Sequence, residues 1–274
     1  MRLELVQMAG RDGDTAHNLQ RTLAAIATCQ ADTDILVFPE SLITGFPSPD
    51  NLASLAEPLD GPSLCAIQQA ARERNVGVVV GLTEHDRGRY YNTSVLVTPD
   101  GIALSYRKTH LWVGEGELVQ AGERYSTVEW RGVRIGLLIC YDCEFPESAR
   151  ALAELDAELV LITDGNMQPY GRVHHTAVTA RAQENQCFVA MVNRVGTGID
   201  NLTFAGGSIV VDPFGQSLFE AGQEECRHSL RLDMTRIASA RGLYDYHADR
   251  RFSLPGERID HADGRRDLLI PQRA

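Results

Sequence analysis

The chain has 274 residues, 43% of them hydrophobic and 23% charged, and a formal net charge of -11. That is enough apolar material for one large domain across residues 1–274 rather than two, and no apolar run approaches the roughly 20 residues a membrane span needs. The acid excess argues against nucleic acid and anionic membrane as partners, since both are bound through clustered cations; a small neutral or cationic ligand fits better.

The chain begins as an alternating strand over 3–9, with no charged leader followed by a long apolar run, so the expected location is cytoplasmic. A helix is predicted over 15–30. The next strand, 34–40, runs through Ile35, Leu36, Val37 and Phe38 and ends on Pro39 and Glu40. After a helix over 61–74 come strands over 76–84, 92–98 and 102–108. The last two are joined by a Pro99-Asp100-Gly101 turn, where Pro presets the bend and Gly takes the left-handed position. That third strand closes on Lys108, the chain's one lysine against 25 arginines.

Strands over 126–130 and 133–141 follow, the second a buried run from Ile135 to Cys140. Pro146 and Glu147 suit the first turn of a helix over 145–156. A strand over 158–164, a helix over 172–186, and strands over 187–195, 205–212, 216–220 and 226–233 complete the body, with a second Pro-Gly turn at 212–215. Strand-helix alternation with fully apolar strands indicates an α/β protein with mixed sheets covered by helices. From about residue 242 the chain turns polar and cannot build a core of its own; it is expected to lie across the body or a partner subunit. The six cysteines are scattered through a chain that needs no staples, so they are expected to be reduced.

Three reactive side chains thus end three apolar strands, and strand ends are where sites collect in open α/β sheets. A strand-to-helix turn at Cys140 exposes the thiol while nearby backbone N–H groups face whatever the sulfur attacks. A thiol is largely protonated at neutral pH and needs a base. Glu40, at the rim of a buried strand, is the candidate, with its pKa raised by desolvation. Lys108 offers a compact ammonium for a developing oxyanion, a task for which the broad guanidinium fork is a poor substitute. Each residue alone also has an ordinary reading: a buried core thiol, a capping carboxylate, a lysine left over from arginine-rich codon usage.

Together these segments resemble the nitrilase superfamily of carbon–nitrogen hydrolases. The resemblance is carried by Val37-Phe38-Pro39-Glu40 with Gly45, by Tyr106-Arg107-Lys108-Thr109-His110, and by Gly136 through Cys140-Tyr141-Asp142 with Phe145-Pro146-Glu147. Arg181 with Glu184-Asn185, Gly206-Gly207-Ser208 and Asp249-Arg250-Arg251 extend it over almost the whole chain. It implies a four-layer α-β-β-α sandwich, a Glu40-Lys108-Cys140 site, no cofactor and no metal, and a homodimer or higher homo-oligomer. Cys140-Tyr141-Asp142, where nitrilases carry Cys-Trp-Glu, makes the chain similar to the aliphatic amidase and ω-amidase branch, cleaving small linear amides to acid and ammonia through a thioester. An ω-amide or an N-carbamoyl amine is the alternative substrate. A second glutamate of the family falls best on Glu115, although the loop from Trp112 to Gln120 is one residue short and Glu117 or Glu123 also qualifies. Trp112, Tyr141, Asn166, Met167 and Tyr170 are the expected walls of the substrate pocket.

Competing readings remain. Cys140 and Cys143 form a Cys-x-x-Cys pair that suits a redox dithiol or half a zinc site, but it leaves Glu40 and Lys108 unexplained. The adjacent His174 and His175 have the wrong separation for both to face one metal. A Cys-His protease arrangement would use His110 or His175 as base, and a scaffold that lost its chemistry is the non-enzymatic alternative. No phosphate-binding loop or dinucleotide fingerprint is present.

Overall fold

The computed structural model describes residues 1–271, apart from the side chains of Asp200 and Leu243. In chain order the elements are β1 (Arg2–Gln7), α1 (Thr15–Ala27), β2 (Ile35–Val37), α2 (Leu52–Leu55), α3 (Pro62–Arg74), β3 (Gly77–Asp86), β4 (Arg89–Thr98), β5 (Gly101–Arg107), β6 (Arg124–Trp130), β7 (Val133–Ile139), α4 (Pro146–Glu154), β8 (Leu159–Asp164) and α5 (Gly171–Asn185). They continue as β9 (Phe188–Asn193), β10 (Ile209–Val211), β11 (Ser217–Glu220), β12 (Cys226–Arg231), α6 (Thr235–Leu243), α7 (Tyr246–Asp249), β13 (Glu257–Asp260) and β14 (Arg266–Leu269).

The strands form a six-stranded sheet, β12-β1-β2-β3-β4-β5, and an eight-stranded one, β11-β10-β9-β8-β7-β6-β14-β13. Each has a parallel centre, β1-β2-β3 in one and β7-β8-β9 in the other, flanked by antiparallel strands. Side-chain alternation decides the layering. Ile35 and Val37 face the other sheet, in a core shared with Leu137, Ile139, Leu159 and Leu161, whereas Leu36 and Phe38 face Ile26 of α1 and Leu64 and Ile67 of α3. On the far side α4 and α5 bury Leu152, Val178 and Ala182 against the second sheet. The result is the α-β-β-α sandwich of two mixed sheets. Among the described residues no helix is long and apolar enough to cross a membrane.

Departures from the sequence reading have local causes. β10 starts at Ile209 rather than near 205, because Gly206 and Gly207 adopt φ of 62° and 69° and cannot join a pleat. β7 stops at Ile139 because Cys140 turns to φ 45°. Helix α6 was not expected. In the polar tail β13 and β14 form a hairpin, and β14 pairs with β6, so the tail extends the second sheet. Edge hydrogen bonds hold it, with Leu268 buried, and a hairpin held by its backbone needs little of the apolar periodicity by which strands are recognised.

Candidate active site

Both parallel centres point their carboxyl ends to one region, where Glu40 follows β2, Cys140 follows β7 and Asp164 ends β8. The two sheets are stitched there by backbone: the Glu40 N–H donates to the Asp164 carbonyl at 3.2 Å. Ser41, next to Glu40, and Cys140 both adopt positive φ, 46° and 45°, a strained conformation for side chains of this kind that concentrates where geometry is functional. Past Cys140 the chain makes a single 3-10 turn, Cys140–Glu144, and Pro146 then opens α4. Tyr141 falls in that first turn, where N–H groups have no partner within the helix.

Lys108 lies one residue beyond β5 and is 2% exposed. Its Nζ donates to Glu40 Oε1 at 3.0 Å and to Glu115 Oε2 at 2.7 Å. Asn92 on β4 braces the same pair, with Nδ2 2.8 Å from Glu40 Oε1 and 3.1 Å from Glu115 Oε1. Glu115 also accepts from the Trp112 N–H at 2.6 Å, which folds the loop between them over the site. Glu117 and Glu123 are exposed; of the three glutamates on this loop, the structure brings Glu115 to the lysine.

The charges follow from burial and neighbours. Burial raises the Glu40 carboxyl, Glu115 and Asp164 push the same way, and Lys108 opposes them; the net shift is upward. Burial works against the Lys108 ammonium, but Glu40, Cys140 and Glu115 outweigh it and hold the lysine well above its ordinary range. The Cys140 thiol is pushed well up by burial and by Glu40 and Asp164, with the Gly165 N–H bonded to it acting in opposition. The resting state is therefore a neutral thiol beside a carboxylate of raised basicity and a fixed cation. Gly165 is small of necessity: a Cβ there would stand 2.6 Å from Glu40 Oε2 and 2.7 Å from Phe46 Cζ.

A cavity of about 520 Å³ opens onto Glu40, Lys108, Glu115 and Cys140. Trp112, Tyr141, Met167 and Tyr170 line it. Asn166 stands behind the wall instead: it is buried, and its Nδ2 donates to the Tyr170 carbonyl at 3.0 Å, which shapes the loop that bears Met167 and Tyr170. Most of the remaining wall is apolar and was not foreseen, including Phe46, Val173, Ile199, Leu202 and Phe204. Phe46 follows β2, Val173 is in the first turn of α5 and the other three lie between β9 and β10; no local pattern marks them. A larger cavity, about 680 Å³, lies elsewhere against β4 and β5, with Arg87, Arg89 and Arg107 in its wall and none of the three reactive residues.

Four further residues stand out. Asp142, fully buried, accepts from Tyr106 Oη at 2.8 Å, from the His110 N–H at 2.8 Å and from the Ile139 N–H at 3.2 Å, tying the Lys108 segment to the Cys140 turn. His110 is thereby committed to Asp142 and stacks on Phe145, and His175 faces the Gly207 carbonyl at 2.6 Å. The histidine beside Cys140 is His174, which the sequence reading set aside. Its Nδ1 is 3.0 Å from Asp164 Oδ1 and its Nε2 is 3.2 Å from Glu144 Oε1. Burial opposes its charge, but Asp164 and Cys143 overcome that and raise it far above an ordinary histidine. The signal available was its place one helical turn into α5, just after the loop that follows β8.

Residues 2–241 match the profile of the carbon–nitrogen hydrolase family. The chain is 62% identical over 270 residues to an (R)-stereoselective amidase of a Pseudomonas species, covering 98% of each. Among solved structures it is similar to a carbon–nitrogen hydrolase superfamily protein of Xanthomonas campestris with an arsenic adduct in its active site. That pair gives a TM-score of 0.87 at 30% identity over 93% of this chain and 99% of the other. It is also similar to a variant of the amidase from Nesterenkonia in which acrylamide has added to the active-site cysteine, with a TM-score of 0.81 at 29% identity over 92% and 96%.

Proposed function

Because this chain belongs to the carbon–nitrogen hydrolase family, we propose that it is a cysteine amidase that hydrolyses small linear amides to a carboxylic acid and ammonia, with Cys140 as nucleophile, Glu40 as general base and acid, and Lys108 as oxyanion partner. The observation that carries this reading is the Lys108 ammonium clamped between Glu40 and Glu115, in a cavity that also exposes Cys140. The Pseudomonas relative is itself an amidase.

In the proposed cycle Glu40 takes the Cys140 proton as the sulfur attacks the amide carbon. A neutral thiol and a carboxylate of raised basicity suit a transfer concerted with attack. The oxyanion lies between the Lys108 ammonium and the Tyr141 N–H; one such donor is worth about 100- to 1000-fold in rate. Glu40 then delivers the proton to the leaving nitrogen, ammonia departs, and Glu40 activates a water, ordered by Glu115, that cleaves the thioester. The apolar wall of Phe46, Leu202 and Phe204 receives the acyl group, so an aliphatic chain is favoured over the terminal carboxylate of an ω-amide. We place this activity in a cytoplasmic homo-oligomer.

A panel of acetamide, propionamide, butyramide, glutaramate, 5-aminopentanamide, N-carbamoylputrescine and propionitrile, scored by ammonia release, tests the reading. Turnover of the simple amides, rising with apolar chain length, is expected. Activity on the nitrile with none on any amide would overturn it.

A further inference from the structure

The donor set beside the nucleophile is more than amide hydrolysis asks for. A ligand atom each from Cys140, Asp164 and His174 lie within 4.8 Å of one another, and all three residues are buried. In the proposed cycle neither Asp164 nor His174 touches the amide. Among the described residues the buried Asp164 Oδ2 has no hydrogen-bond partner, and a ligand ion is one of the accounts such an oxygen admits.

We propose that Cys140, Asp164 and His174 form a three-ligand zinc site, occupied in competition with the amide, through which the metal reversibly shuts the enzyme. Thiolate, imidazole and carboxylate are a donor set for zinc, while calcium and magnesium want oxygen alone. The spacing is close to what the ion needs. Nitrogen and oxygen ligands at about 2.0–2.1 Å from a tetrahedral ion stand roughly 3.3 Å apart, and His174 Nδ1 and Asp164 Oδ1 are already 3.0 Å apart. With Nδ1 on the metal, Nε2–H remains with Glu144 at 3.2 Å. This is the carboxylate–histidine–metal arrangement that fixes the ring of a ligating histidine. The Cys140 sulfur lies within 4.8 Å of both other donor atoms, and because Cys140 and His174 both line the cavity, a fourth ligand would take space otherwise open to the substrate.

Metal binding needs a deprotonated sulfur and a free Nδ1 lone pair, so the protons those two atoms carry leave to solvent as zinc enters. Lys108 does not oppose the ion strongly, because its ammonium is already matched by Glu40 and Glu115. Bound zinc takes the sulfur lone pair that attack requires and occupies the space of the carbonyl, so inhibition competes with substrate and ends when the metal is removed.

The inhibitory sense of this proposal rests on the amidase reading, but the binding does not, and two measurements on the full-length protein separate them. In the first, ammonia release is followed against amide and zinc chloride concentrations, each variant scaled to its own zinc-free rate. Competitive inhibition, reversed by a chelator, is expected, with His174→Gln and Asp164→Asn each weakening it by at least about tenfold. In the second, cobalt(II) is titrated and its near-ultraviolet thiolate charge-transfer band recorded, which needs no turnover. The band is expected in the native protein, absent from Cys140→Ala and weakened at least tenfold in His174→Gln. Native-like metal affinity in His174→Gln, or no band in the native protein, would overturn the site. Inhibition that does not compete with amide would overturn the mechanism. A band with the expected residue dependence in a protein that hydrolyses no amide would sustain the site and remove the function.

Discussion

Tyr106 Oη donates to Asp142 Oδ2 across 2.8 Å, and this contact joins the strand that leads to Lys108 to the turn that carries Cys140. The two segments belong to different sheets, so the bond ties the Lys108 segment to the Cys140 turn. Tyr106→Phe keeps the ring, which stacks on Tyr125, and removes the hydroxyl's bonds to Asp142 and to Thr109 Oγ1. The expected result is a stability loss of about 1–3 kcal/mol for the unsatisfied buried partner, with a fall in kcat larger than the change in KM. Urea denaturation and steady-state kinetics check both.

Lys108→Arg is expected to fold and yet lose about 100-fold or more in kcat. The guanidinium has no room for its fork between Glu40 and Glu115 and cannot place a point charge at the oxyanion. Circular dichroism and ammonia release give the two readouts, and a fully active Arg variant would remove Lys108 from the mechanism.

Cys140→Ala is expected to leave folding intact and abolish ammonia release. Glu40→Gln should cost about 100- to 10,000-fold in kcat. A Glu40→Gln variant that releases ammonia at the native rate would contradict the assignment of the base.

The pH profile of kcat/KM reports the free enzyme. In the proposed cycle Glu40 acts ionised, so activity is expected to fall as pH drops through its pKa. Burial raises that pKa, with Lys108 opposing, so the acid limb is expected above the usual glutamate value of about 4.3. Asn92→Ala removes a donor to the ionised carboxylate and should move the limb higher still. A limb at the ordinary value in both proteins would contradict the assignment.

Gly165→Ala places a methyl 2.6 Å from Glu40 Oε2. Displacing the base by about 1 Å should cost about 100-fold in kcat, with the unfolding midpoint changed far less than the rate. Steady-state kinetics beside a thermal melt separate the two.

Strands were legible where burial on both faces made continuous apolar runs, as in 133–139, and turns where Pro and Gly left a mark. The hairpin β13-β14 was not, because its strands are short, polar and held by edge pairing. Cys140, Glu40 and Lys108 could be named because each ends an apolar run and each carries a reactive group. Asn92 lies inside a strand as one polar residue among several, and nothing in its neighbourhood of the sequence shows that its amide spans two glutamates.

The sequence by itself determined mixed sheets covered by helices and the three reactive residue types at strand ends, because apolar periodicity and chain-reversal chemistry are local properties that each segment carries within itself; the four-layer sandwich was what the family resemblance implied. Only the tertiary structure decided which glutamate of the loop meets the lysine, which of two adjacent histidines stands beside the thiol, and which apolar side chains wall the cavity. Those choices depend on how two sheets meet face to face. A rotation of 100° along α5 separates His174, facing Asp164, from His175, facing Gly207, and only the packing of that helix against its sheet fixes which of the two faces inward.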